Sequence, residues 1–183
     1  LEAQAIARAI IKKGDLGTNM IVDFGKKRTG IFIVSKGVVI FTSTLDMGGL
    51  TISEMIAKNF KIGPEEADKK KKEWGLRRDP ANTEVFSVLL NAVSILRDEI
   101  MKHSIYWHTH KDEEGNDRPP IEEVLLCGGD SNLVGLAEYF SISMKTKVGM
   151  ADVWINITEP EKDVPEINFN QSLAFASAIG LGL

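Results

Sequence analysis

The stretch MIVDFGKKRTGIFIVS, residues 20–35, holds two apolar, β-branched runs on either side of the charged turn Gly25-Lys26-Lys27-Arg28. Runs of this length, rich in Ile and Val and bounded by Gly, read as strands. A third run, GVVIFTSTLD at 37–46, follows the tight turn Lys36-Gly37. The spacing predicts a meander of consecutive antiparallel strands over 20–24, 29–35 and 37–46.

Helical patterns surround this meander. Residues 1–13 place Ala and Ile at helical spacing and close on Lys12, Lys13 and Gly14. Beyond Gly48-Gly49 a helix is expected from about Thr51 to Phe60. Pro64 opens another, PEEADKKKKEW, which Gly75 stops. Val85, Leu89, Ala92, Leu96 and Ile100 form a stripe of period near 3.6, predicting a long core-facing helix over 83–110. A polar loop, KDEEGNDRPP at 111–120, leads to the short strand EEVLLCG and to a helix beginning near Ser131. After a less regular part with short strands, 145–166, the chain closes with the small-residue helix NQSLAFASAIGLGL. This order reads as α/β.

Composition sets outer limits. The chain has 183 residues, 22 Lys+Arg against 26 Asp+Glu, and a net charge of −4. That length suits one ordinary domain or two small ones and buries roughly 70% of the unfolded surface. With 43% hydrophobic and 26% charged residues it is globular, not disordered. The acidic balance argues against nucleic acid as the main partner. A lone cysteine, Cys127, excludes an internal disulfide and a cysteine-based zinc cage. No apolar run approaches the ~20 residues of a membrane span, and no signal peptide is recognisable. A soluble, intracellular chain is expected. Since Leu1 opens directly into a helical pattern with nothing to cap it, the chain is expected to be the later part of a longer one.

Three motifs carry chemistry. At Asp23-Phe24-Gly25 a buried strand breaks into a turn; such a carboxylate can hold a metal-bound water, and the Gly lets backbone N–H groups approach phosphate. The same sequence also makes an ordinary turn, with Lys26, Lys27 and Arg28 as a solvated tip. Leu126-Cys127-Gly128-Gly129-Asp130-Ser131-Asn132 is a strand–Gly-Gly–helix junction, where a ligand can reach the strand end. Its plain alternative is a tight turn capped by Asp130 or Ser131. In the run Asp68 to Lys72 consecutive side chains diverge by ~100°, so it is no single stripe. A solvated face is its plain reading, although Asp68 and Lys71 at i, i+3 can reach one ligand together. His103, His108 and His110 lack metal-ligand spacing. Asp112, Glu114, Asn116 and Glu123 mimic a calcium loop, but Asp117 stands where its glycine is needed.

In order along the chain, these signals resemble the later half of the actin-like ATPases, and within them the PilM family of type IV pilus assembly, which is related to FtsA. LEAQAIARAI resembles the helix leading into the second half. DFGKKRTGIFIV resembles the second phosphate segment, which implies that Asp23 faces Mg²⁺ through water and that Gly25 and Thr29 lie by the phosphates. Gly48-Gly49 with Ser53 is similar to a G-G-x-x-x-T segment near the nucleotide. PEEADKKKKEWGL is similar to an E-E-A-E-x-x-K helix, so Asp68 and Lys71 would face ribose or base. LLCGGDSNLVGL resembles the adenosine segment, placing Gly128, Gly129, Asp130 and Leu133 around the adenosine. FASAIGLGL resembles the closing hinge helix, with Ala178 and Gly180 permitting close packing. The chain departs from the pattern at Lys26-Lys27-Arg28, at Asp68 in place of Glu, and at Val134 in place of Pro.

The resemblance implies a ribonuclease-H-like α/β core over 1–45 and 110–183, with a small α-rich subdomain and long helix inserted at 46–109. It implies ATP or ADP with Mg²⁺ as cofactors, and a cytoplasmic place peripheral to the inner membrane. The implied partners are the N-terminal half of the parent chain, the cytoplasmic tail of PilN and the pilus inner-membrane platform. The residues that position attacking water would lie in that other half. Competing readings are an FtsA-like division ATPase, a nucleotide-free scaffold and a small-molecule kinase. The first calls for a membrane-targeting amphipathic C-terminal helix, whereas FASAIGLGL carries no basic residue.

Overall fold

The structure, a computed structural model, describes residues 1–157 and 166–183. Helix α1 (Glu2–Ile10) leads into strands β1 (Thr18–Phe24), β2 (Thr29–Ser35) and β3 (Val38–Leu45). Three helices follow: α2 (Gly49–Phe60), α3 (Pro64–Trp74) and the long α4 (Thr83–Thr109). Strand β4 (Glu123–Cys127), helix α5 (Leu136–Met144) and strand β5 (Val148–Met150) come next. Helices α6 (Phe169–Ser172) and α7 (Ala176–Gly182) close the chain, joined by a 3₁₀ turn at Leu173–Phe175.

The five strands form one mixed sheet in the order β3-β2-β1-β4-β5. The meander pairs antiparallel, whereas β1–β4 and β4–β5 pair parallel. Alternation of side chains divides the core in two. Met20, Val22, Phe24, Ile31, Ile33, Val124 and Leu126 face α2, α4 and α5, meeting Ile52, Ile56, Leu89, Leu96 and Phe140. Ile21, Phe32, Val34 and Cys127 face the opposite way, onto Ile6, Ala9 and Ile10 of α1 and onto Leu173 and Ala176. Because both faces are covered, β1 and β2 read as nearly continuous apolar runs. Residues 46–109 therefore contribute to the same core as the central strands.

On the open edge, Ile33 pairs with Phe41 but Val34 pairs with Val39, leaving Ile40 as a bulge residue. The extra residue turns Val39 to one core and Phe41 to the other. On the far side of the sheet, α1 and α7 touch through backbone: a Cβ added at Gly180 would overlap the carbonyl oxygen of Ala5.

Local details differ from expectation. The first helix ends at Ile10, because Ile11 turns extended. The closing helix is interrupted by its 3₁₀ turn. No α-helix begins near Ser131: residues Gly129–Asn132 form a 3₁₀ turn, and α5 starts only at Leu136. Ser131 Oγ bonds back to the carbonyl of Cys127, and Gly135 adopts the left-handed region at φ +80° before the helix can start. Of the short strands expected within 145–166, β5 is one and pairs with β4; residues 158–165 lie outside the described part.

Candidate functional site

Parallel pairing of β1 with β4 sets Asp23 directly opposite Cys127, so the turns that follow both strands open at the same end of the sheet. Ligands of α/β sheets bind at such carboxyl ends. Gly128, at φ +87°, makes this juxtaposition possible: an added Cβ would come within 2.6 Å of Asp23 Oδ1 and 2.5 Å of the Phe24 carbonyl.

The β1–β2 turn is closed by the Gly25 N–H donating to the Arg28 carbonyl at 3.1 Å. The turn's outward carbonyls then cap α2. Gly49 N–H donates to Gly25 O at 3.0 Å, and Leu50 N–H to Lys26 O at 2.8 Å. Gly48 lies so close that a Cβ would sit 2.6 Å from both carbonyls. Thr29 is buried and its hydroxyl donates to Met47 O at 2.7 Å.

Behind this turn lies a buried ammonium. Lys71 Nζ donates to Gly49 O at 2.9 Å and to Asp130 Oδ1 at 2.6 Å, and it lies 3.1 Å from Asp68 Oδ1. Its side chain is only 5% exposed. Asp68 also accepts from Ser53 Oγ at 3.1 Å and pairs with Lys72 at 2.6 Å. This network ties α2 and α3 to the turn after β4. Asp130 fills the room left by the missing side chain of Gly49, where any Cβ would overlap its carboxylate.

The carboxylates feel opposite environments. Partial burial raises the pKa of Asp68, but hydrogen bonds from Lys72 and Lys71 outweigh it and hold the carboxyl at about 2. Asp23 is raised above its usual value, by burial first and by the nearby charge of Glu2 second, against a lowering hydrogen bond from Cys127. Burial likewise pushes the Cys127 thiol well up, which suits an inert core residue.

Two cavities meet at Gly129 and Asp130. One, of about 330 Å³, is lined by Asp23, Gly25, Lys26, Gly128 and the N-terminal Glu2. The other, of about 890 Å³, runs between Lys71, Lys72 and Leu133 on one side and Phe169, Ala174 and Phe175 on the other. Of the residues marked by sequence, Asp23, Gly25, Gly128, Gly129, Asp130, Lys71 and Leu133 line these spaces. Asp68 stands behind Lys71, while Thr29 and Gly48 support the turn and line neither cavity.

Sequence reasoning missed the wall formed by Asn168 to Phe175. Its signal was the capping residue Asn168, whose Oδ1 accepts from Gln171 N at 2.8 Å. Asn132 was also missed; its amide donates to Asn170 O at 2.7 Å and fastens this wall to the Gly-Gly turn. The histidines engage aromatic rings, His103 beside Phe41 at 5.3 Å and His110 stacked on Tyr106 at 4.0 Å. Among the described residues no cluster of three or more His, Cys, Asp or Glu is placed to hold a metal alone, and no helix is long and apolar enough to cross a membrane.

Solved structures with this fold are numerous. A PilM–PilN type IV pilus biogenesis complex matches 99% of this chain and 50% of its own, at 18% identity and a TM-score of 0.77. MreB5 of Spiroplasma citri bound to ADP matches 99% of this chain and 57% of its own, at 16% identity and a TM-score of 0.70. The ethanolamine utilization protein EutJ from Carboxydothermus hydrogenoformans matches 100% of this chain and 53% of its own, at 22% identity and a TM-score of 0.63. The fold is thus that of the actin-like ATPases, and the chain spans about half the length of these structures. No curated protein sequence matches it. The sequence profile of the type IV pilus assembly protein PilM covers residues 2–183, and the chain belongs to that family.

Proposed function

We propose that this chain forms one wall of an ATP or ADP site in a PilM-like unit of the type IV pilus machine. The observation that carries this reading is the meeting of two cavities at Gly129 and Asp130, beneath the paired ends of β1 and β4. The smaller space suits phosphates, with Gly25 and Lys26 at its rim and Thr29 and Gly48 bracing the turn. The larger, with Leu133 and Phe175 on its walls, suits adenosine. Lys71, on the wall of the larger space, stands where ribose would reach, with Asp68 bonded to it from outside that space.

A divalent cation fits beside Asp23. Burial and the Glu2 charge disfavour the ionised carboxylate, and a cation would relieve both. With no ready cluster of protein ligands among the described residues, Mg²⁺ would arrive with the phosphates and offset their charge. The role of Asp23 is to orient the water shell of that ion.

Since the matched structures are about twice as long, the opposite wall of the site would come from sequence outside residues 1–183. The likeness to a PilM–PilN complex supports a PilN-like cytoplasmic tail as partner, with the unit cytoplasmic and peripheral to the inner membrane. Calorimetry of Mg²⁺-ATP binding to the parent polypeptide tests the site. Asp23→Ala is expected to abolish the Mg²⁺ dependence of ATP affinity and to leave the empty protein at least as stable. A destabilised variant with unchanged, Mg²⁺-dependent binding would refute this assignment of Asp23. Residues 1–183 alone should bind ATP only at millimolar order, ~4 kcal/mol.

A further inference from the structure

We infer that Asp130 is a built-in competitor for the nucleotide, holding the Lys71 ammonium that the ligand would otherwise engage. The inference rests on the nucleotide reading above and adds to it a residue that sets affinity.

A lysine ammonium has three N–H donors and no more. All three of Lys71 have partners: the Gly49 carbonyl, Asp130 and Asp68. With its side chain almost wholly buried, it cannot add a bond to ribose or phosphate without releasing one. The bond to Asp130 is the shortest of the three and joins full charges, which makes it the strongest rival to any ligand group that reaches Lys71.

Asp68 is a weaker rival, since Lys72 and Ser53 already share its carboxylate. Asp130 differs in location as well, for it lines both cavities and brings its negative charge to the place where they join. A polyphosphate entering the smaller cavity meets that charge. The backbone holds the competitor in place: only glycine at 49 leaves room for the carboxylate, so the pairing is fixed by the packing of α2 against the turn after β4.

The empty unit is accordingly self-neutralised, with Lys71 and Lys72 balancing Asp68 and Asp130. Nucleotide binding becomes an exchange of partners at Lys71, and its affinity reflects the difference between ligand and Asp130.

The test is calorimetry of ADP and ATP binding to the parent polypeptide, as wild type and as Asp130→Asn, which keeps shape and removes charge. Asp130→Ser serves as a second variant with a smaller side chain, and melting curves verify that each is folded. Both variants are expected to bind nucleotide about tenfold more tightly, because a like charge beside the ligand is gone and Lys71 keeps at most a neutral partner at that position. Wild-type binding that is unchanged or weakened in both folded variants would overturn the competitor while leaving the nucleotide reading intact. Binding seen only after Asp130 is replaced would support the competitor in its strongest form. Absence of binding in wild type and both variants would overturn the nucleotide reading and the competitor with it.

Discussion

Two lysine-rich runs of similar composition meet different fates. Lys26, Lys27 and Arg28 occupy a hairpin tip, and all three side chains are exposed. Lys69 to Lys72 occupy a helix, whose turn carries one of the four inward. Lys71 falls on the stripe formed by Ala67 and Trp74 and is buried there, with acceptors from α2, α3 and the turn after β4. Charge in sequence says little about charge in place. What decides is whether a regular element brings one residue of the run to face carboxylates from elsewhere in the fold.

Removing the inward lysine gives the largest effect. Lys71→Met leaves Asp130, itself mostly buried, without its partner, and breaking such a pair costs roughly 3 kcal/mol. Urea unfolding should show a lowered midpoint with unchanged slope. A loss no greater than that of Lys69→Met would erase the distinction between the runs.

Acid titration sharpens the same contrast. Asp68 is held at about 2, against 3.8 ordinarily, so the folded state favours its ionised form. That contribution is complete above about pH 4 and is lost as pH falls toward 2. Because Asp68 is more than a third exposed, solvent screening reduces it to about 1 kcal/mol. Asp68→Asn should flatten this part of the stability–pH curve. Asp23 has the opposite sign: its raised pKa makes ionisation a cost to the folded state, relieved as pH falls.

The smallest effect belongs to the exposed tip. Replacing Lys26, Lys27 and Arg28 together by Ala should change stability by no more than about 0.5 kcal/mol. Nucleotide affinity should nevertheless fall, and more at low salt than at high. An unfolded variant would show that this tip, too, is structural.

The meander was legible because each strand advertises itself locally: β-branched apolar runs and a Gly at every turn give boundaries within two residues at 18–24, 29–35 and 38–45. The long helix over 83–109 was legible for the same reason, its apolar stripe repeating through Val85, Leu89, Ala92 and Leu96. Pairings between distant segments were not. Nothing near Asp23 says that Cys127 will stand beside it in a parallel ladder, or that Val148–Met150 will pair with β4. Ser131 misled because a Ser after two glycines is a good cap in isolation, and here its hydroxyl turned back to Cys127 instead. The candidate site followed this division. Its glycines and Asp23 were readable from their turns, while the burial of Lys71 depended on Asp130, fifty-nine positions away.

The close crossing of α1 and α7 has a mechanical consequence. Gly180 rests on Ala5, so the two helices meet on bare backbone at this point. A side chain there would act as a wedge, its Cβ overlapping the Ala5 carbonyl oxygen and prising α1 from α7.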